Sequence, residues 1–208
     1  MQTEMDMPTL TPQQILRKRK AGEPLLPGEP EQVHRHTIAV LLENTIGALI
    51  RVVNLFSARG FNLESVTVGE TDDPTVSRMT IVTTGNDRII GQVLRQLDRL
   101  IDTLHVEDLT GSSFVERELC LLKVRYTNET RAAIMDTAEI FRGKVVDITP
   151  DTMTFELTGP TSKIEAFIKL MKPHGILEVA RSGRVAMRRS SGSWLTHEDP
   201  TLNLSPER

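Results

Sequence analysis

The residues with the widest chemical repertoire are five histidines (His34, His36, His105, His174 and His197) and a single cysteine, Cys120. No histidine falls in an H-x-x-x-H or H-x-x-E-H pattern, and one cysteine cannot build a structural zinc site. Cys120 lies inside the apolar run Glu118 to Tyr126 (ELCLLKVRY), where a thiol behaves as a small hydrophobe rather than a nucleophile. There is no G-x-S-x-G elbow and no G-x-x-x-x-G-K-[ST] phosphate loop. The adjacent carboxylates of Asp72 and Asp73 precede Pro74 and read as solvated turn formers. These observations support an expectation of no catalytic residue, no metal ligand and no cofactor in this chain, and they favour a binding module over an enzyme.

The stretch that does offer chemistry is Leu42-Glu43-Asn44-Thr45-Ile46-Gly47-Ala48-Leu49. A β-branched run ends, a short loop follows, and a helical pattern opens on small residues. A helix N-terminus presents free backbone N–H groups and the positive end of the helix dipole. Gly47 and Ala48 leave room for a carboxylate to approach those donors. Asn44 offers both a donor and an acceptor, as a zwitterion requires. The spacing is equally compatible with a plainer role, in which Asn44 caps the helix and Gly47 eases the turn.

The elements that would position this loop follow from periodicity. His36 to Leu42 reads as a strand. Ala48 to Arg59 places Leu49, Val52, Val53 and Phe56 on one helical face, and Gly60 ends that helix. Asn62 to Glu70 and Val76 to Thr83 alternate as strands around the Asp72-Asp73-Pro74 turn. A helix opens at Gly85-Asn86-Asp87, with Ile89, Ile90, Val93, Leu94 and Leu97 on one side, and Ile101 to Leu109 is a further strand. The order βαββαβ then repeats. Glu118 to Tyr126 is a strand, and Asn128 caps a helix running to Phe141 that Gly143 ends. Val145 to Thr149 and Thr152 to Leu157 are strands, a helix runs from Gly159-Pro160-Thr161 to Met171, and Ile176 to Arg188 returns as strand. Phe56…Arg59-Gly60 is matched by Phe141-Arg142-Gly143, and Thr84-Gly85 by Thr158-Gly159. The fold class expected is α+β, two tandem ferredoxin-like βαββαβ sandwiches. Each leaves one sheet face and its edge strands open, so pairing with a second sheet is expected. The domains are 36–112 and 113–189, between a polar extension (1–35, with a short helix from Thr11-Pro12 to Lys20) and a polar tail (190–208).

Bulk properties narrow the partners. In 208 residues, 25 basic and 28 acidic side chains leave a net charge of −3, which provides no global field for nucleic acid or an anionic membrane. Aromatic residues are 4%, too few for base-stacking platforms. No apolar run approaches the roughly 20 residues that span a bilayer. One cysteine fits a reducing compartment. Glu4, Asp6, Glu23, Glu29 and Glu31 interrupt the N-terminal stretch, which has no apolar core of a leader. The expectation is a cytoplasmic protein that binds neither nucleic acid nor membrane.

Longer motifs carry a resemblance. Glu43-Asn44-x-x-Gly47-Ala48-Leu49-x-Arg51-Val52 and Phe56-Ser57-x-Arg59-Gly60-Phe61-Asn62-Leu63-Glu64-Ser65 resemble the ACT domain of the acetolactate (acetohydroxyacid) synthase small subunit. Ser77-Arg78-Met79-Thr80-Ile81, Glu116-Arg117-Glu118-Leu119, Glu139-Ile140-Phe141-Arg142-Gly143 and Val179-Ala180-Arg181-Ser182-Gly183 extend it across both halves, from about His36 to Arg189. The resemblance implies a non-catalytic regulatory subunit of branched-chain amino acid biosynthesis. Its partner would be a separate large catalytic subunit that holds thiamine diphosphate, magnesium and FAD. The small subunit would activate that partner and confer feedback inhibition by valine. The resemblance also implies a homodimer through the ACT domains, with valine between protomers: Asn44, Gly47, Ala48 and Leu49 from one, Asn62 and Leu63 from the other. Arg78 and Met79 are the candidate contacts to the catalytic subunit, although Arg78 equally fits an ordinary strand-edge charge. The extension is longer than this family's core requires, and Thr45-Ile46 replaces a more polar or proline-containing pair, so that Ile46 would narrow the pocket. The alternative reading is a stand-alone ACT-domain sensor that regulates a different enzyme or a transcription complex.

Overall fold

The computed structural model describes residues 33–189; the expected N-terminal helix and C-terminal tail lie outside the described residues. The first unit runs β1 (Val33–Glu43), α1 (Ala48–Ala58), β2 (Leu63–Glu70), β3 (Val76–Asn86), α2 (Asp87–Leu97) and β4 (Thr103–Asp108). The second runs β5 (Phe114–Arg125), α3 (Arg131–Ile140), β6 (Lys144–Ile148), β7 (Thr152–Gly159), α4 (Thr161–Met171), a 3₁₀ turn (Lys172–His174), β8 (Ile176–Arg181) and β9 (Val185–Arg188). The sheets are antiparallel, ordered β2-β3-β1-β4 and β6-β7-β5-β8, with β9 paired to the start of β5. Both units therefore carry the ferredoxin-like order expected from the repeat. β1 begins at Val33, three residues before the expected start, so His34 belongs to the sheet.

Strand register separates the two faces of the first sheet. Val40 pairs with Met79 and Ile38 with Ile81, and directly opposed residues share a face. These side chains meet Val52 and Phe56 of α1 and Ile90, Val93 and Leu97 of α2 in one buried core. The second core packs Leu122, Val124, Ile134, Phe155 and Phe167 in the same way, with Phe167 edge-on to Phe155 at 6.0 Å. Alternation is the physical reason that Ala39, Thr37 and Thr80, one step out of phase, face the other side.

That other side of the first sheet is partly covered from within the chain. The expected single strand from Ile176 to Arg188 is broken at Gly183, whose φ of +81° turns β9 away from β8. β9 then lies against the first sheet. Arg78 Nη2 donates to the Ala186 carbonyl at 2.9 Å, Arg184 Nη1 reaches Thr37 Oγ1 at 3.3 Å, and Arg188 pairs with Glu107. Ala39, Leu109 and Ala186 form a small buried cluster there, flanked by Phe114. A Cβ on Gly183 would approach Thr67 Oγ1 to 2.9 Å, so this crossing also needs the missing side chain.

Two helix ends differ from expectation. α3 opens at Thr127 and Thr130, not at Asn128: Thr130 N donates to Thr127 Oγ1 (3.3 Å) and Thr127 N to Thr130 Oγ1 (2.9 Å). α1 closes with Phe61 N on Phe56 O and Gly60 N on Ser57 O, the paired bonds of a Schellman end with Gly60 left-handed (φ +71°). α3 makes the same pair through Gly143 N to Ala138 O and Arg142 N to Glu139 O. The left-handed residue there is Arg142 (φ +54°), not Gly143. The true counterpart of Gly60 is therefore Arg142, one residue earlier than the matched triplets suggest. Gly143 serves close approach instead, since a Cβ would meet the Ala138 carbonyl oxygen at 3.4 Å.

Candidate functional site

The loop after β1 is held from three sides. Asn44 N donates to Thr75 O (2.7 Å), Glu43 N donates to Asp102 O (2.8 Å), and Arg51 Nε bonds Asp102 Oδ2. The Arg51 bond holds the Asp102 carboxyl below the usual carboxylate range, against the opposing effect of burial. Asn44 does not cap the helix. Its Nδ2 donates to Glu70 Oε1 at 3.0 Å and to the Pro74 carbonyl at 2.9 Å. Both partners are pure acceptors, so the amide can be oriented only one way, and its oxygen is the end left to accept. α1 begins at Gly47 with φ +91° and no side-chain cap, whereas α2 is capped by Asn86 Oδ1 on Ile89 N at 2.8 Å. The start of α1 therefore keeps its dipole end uncapped by side chains, beside an oriented amide oxygen. Such a pair matches the carboxylate and the ammonium of an amino acid. Ile46 is fully exposed, and Leu49 and Ile50 are also exposed, so this half of the site contains no enclosed apolar pocket.

Asn62 and Leu63 lie elsewhere. Thr83 Oγ1 donates to the Asn62 carbonyl at 2.8 Å, which fixes the backbone at the start of β2. Val53, Ser57, Gly60, Phe61, Asn62 and Leu63 line a concavity of about 430 Å³ between the end of α1 and β2. Glu70, which binds Asn44, is at the far end of the same strand. At about 3.3 Å per strand residue, Leu63 and Glu70 are about 23 Å apart. The structure thus brings Asn44, Gly47, Ala48 and Leu49 together, and Asn62 with Leu63, but it does not bring the two groups together within one chain. β2 is an edge strand, and Val68 on it is exposed.

The suggested contacts Arg78 and Met79 are displaced from their expected roles. Met79 points to the helix side and is fully buried in the first core, so it offers no surface to another subunit. Arg78 is on β3, an interior strand, and is not an edge charge. Its bond to the Ala186 carbonyl ties the two units together, and burial lowers its pKa against the pull of Glu107.

Two further groupings were missed in reading the sequence. Between the units lies a cleft of about 310 Å³ whose charges are paired within each wall, with Arg35 Nη1 also reaching across to Glu165 Oε1 at 4.0 Å. Arg35 pairs with Glu64 at 2.7 Å, and Glu118, with a side chain only 3% exposed, takes both Nε (2.5 Å) and Nη2 (2.8 Å) of Arg181. The second grouping is His34, His36 and Asp87 at the start of β1 and α2. The H-x-H spacing was its only sequence signal: residues two apart on a strand share a face. Among the described residues no helix is long and apolar enough to cross a membrane.

Comparison with known proteins agrees with both halves of this architecture. A family model described as an AHAS small subunit-like ACT domain matches residues 38–105, and one described as the small subunit of acetolactate synthase matches residues 117–190. The acetolactate synthase small subunit of Aquifex aeolicus is 53% identical over 160 residues, covering 76% of this chain and 83% of that protein. The acetolactate synthase isozyme 3 small subunit of Escherichia coli is 46% identical over 156 residues, covering 74% of this chain and 96% of that protein. The crystal structure of the acetolactate synthase small subunit from Thermotoga maritima superposes with a TM-score of 0.69 at 39% identity, covering 76% of this chain and 99% of that one. Both halves match in order and nearly the full length of these relatives is spanned; the chain belongs to the acetolactate synthase small-subunit family.

Proposed function

We propose that this chain is the non-catalytic regulatory subunit of acetolactate synthase, raising the activity of a separate catalytic subunit and making it sensitive to valine. The catalytic partner supplies thiamine diphosphate, magnesium and FAD. The observation that carries the ligand assignment is the Asn44 amide, held by Glu70 and Pro74 with its oxygen free to accept beside the uncapped start of α1. In this reading the α-carboxylate rests on the backbone N–H of Leu49, reached past Gly47, and draws in that of Ala48 by displacing its 3.3 Å bond to the Thr45 carbonyl. The ammonium meets Asn44, and the isopropyl group enters the concavity of Leu63 and Phe61, with Asn62 at its rim. Along β2, Leu63 is about 23 Å from Glu70, the partner of Asn44, so in this reading a second copy supplies one of the two halves. An isologous pairing along α1 and β2 creates two equivalent sites and covers Ile50 and Val68. Arg78 acts by tying β9 to the sensing sheet rather than by touching the partner.

The test is reconstitution. Acetolactate formation by the catalytic subunit is measured with and without this chain, across a valine titration. Activation that valine reverses is expected, and Asn44→Ala should weaken the valine response while preserving activation. A demonstrated complex with neither activation nor valine sensitivity would overturn the reading. Valine binding without affinity for the synthase would instead indicate a stand-alone sensor of another system.

A further inference from the structure

We infer that His34, His36 and Asp87 form a binding site for a borderline divalent transition-metal ion of the zinc class, with Asp108 as the outer carboxylate that orients one ligand. One ligand nitrogen from each histidine and one Asp87 carboxylate oxygen all lie within 4.8 Å of one another. His34 Nε2 is 2.9 Å and His36 Nε2 3.4 Å from the same oxygen, Asp87 Oδ1. Three ligands arranged tetrahedrally about an ion at about 2.0–2.1 Å are separated by about 3.3 Å, so small rotations close the geometry.

The second observation is His36 itself. It is 2% exposed, and its Nε2 has no hydrogen-bond partner among the described residues. Its other nitrogen, Nδ1, is 3.2 Å from Asp108 Oδ2. Asp108 is itself anchored, because its Oδ1 accepts from Thr110 N at 2.8 Å. A proton on Nδ1, donated to Asp108, leaves the Nε2 lone pair bare and aimed at Asp87. This is the carboxylate–histidine arrangement that fixes the tautomer and raises the basicity of metal ligands. The imidazole rings of His34 and His36 are 4.3 Å apart. Two imidazolium ions at that distance repel, whereas two neutral rings sharing one cation do not. His34 is 39% and Asp87 29% exposed on their side chains, which gives the ion an entry path and leaves a position for water. The ion would link the first residues of β1 to the first turn of α2, at the end of the sheet away from Asn44.

The experiment uses the untagged full-length chain, stripped with chelator and titrated with Co²⁺, followed by displacement with Zn²⁺. The expected result is a tetrahedral ligand-field band that saturates at one ion per chain. His34→Gln and Asp87→Asn should abolish that band with unchanged far-UV circular dichroism, and Asp108→Asn should weaken binding by about 10- to 100-fold. His174→Gln should leave it unaltered. No cobalt binding at micromolar concentration, or a band that survives His34→Gln, would overturn the assignment.

Discussion

Replacing Gly47 with alanine probes the candidate site through its backbone. Gly47 holds φ +91° and ψ −11° at the entry to α1. An L-residue in the left-handed region costs about 1–2 kcal/mol, offset by about 0.4–1 kcal/mol from the lower entropy of the unfolded chain. The added Cβ would also be 3.2 Å from Arg51 Nη1, on a side chain held by Asp102. The net expectation is a loss of about 1 kcal/mol, or about 4–8 °C in the melting temperature of a domain this size. Gly60→Ala is the control: φ is +71° there, but nothing lies within 4 Å of the added carbon. The two variants should lose similar stability by urea unfolding, with Gly47→Ala the larger loss. Gly47→Ala should also weaken valine binding by calorimetry, because the new methyl group crowds the route to the helix N–H groups. A variant within about 0.3 kcal/mol of wild type, or one with unaltered valine affinity, would refute this account of the loop.

Further outcomes follow from the same geometry. Arg142→Gly should raise stability by up to about 1 kcal/mol, since Arg142 occupies the left-handed position at the end of α3; thermal unfolding reads this directly. Arg181→Ala should destabilise by about 2–3 kcal/mol, less than for a fully enclosed pair, because Arg181 is 36% exposed while the Glu118 carboxylate left behind is buried. Replacing Glu118 and Arg181 together with apolar residues should recover part of that loss in a double-mutant cycle. The folded-state pKa of Asp102 is depressed, chiefly by its bond from Arg51. Its contribution is therefore complete above the unfolded value of about 3.9 and is lost as pH falls through the lower folded value. Acid unfolding of Asp102→Asn should accordingly show a shallower decline than wild type below about pH 4.

Much of this molecule was legible from periodicity. Helical and alternating patterns located the strands and helices to within a few residues, because each element buries one apolar face. What escaped was decided by contacts between elements. Pattern alone could not distinguish a capping Asn44 from one bonded to Glu70, because Glu70 arrives from a strand 26 residues later. The phase of β3 was readable in principle: Met79 alternates with Thr80 and pairs with Val40, which sends it inward. The role of Arg78 was not, since its acceptor at Ala186 comes from a ribbon that crosses only after Gly183. The left-handed Arg142 went unseen because propensity favours the glycine beside it. The histidine pair required a third partner from the start of another helix. The candidate site residues came from the motif resemblance, which already divided them between two protomers; the structure gives the spacing of the two groups along β2 within one chain.

The central claim is that sensing needs both halves from different copies. Asn44→Ala and Asn62→Ala chains, each impaired alone, are mixed to form hybrid dimers and titrated with valine. One of the two equivalent sites in a hybrid then joins two intact halves. The account predicts that the hybrid regains near-normal valine affinity at half the wild-type stoichiometry. A hybrid as impaired as its parents, with dimer formation demonstrated, would contradict it.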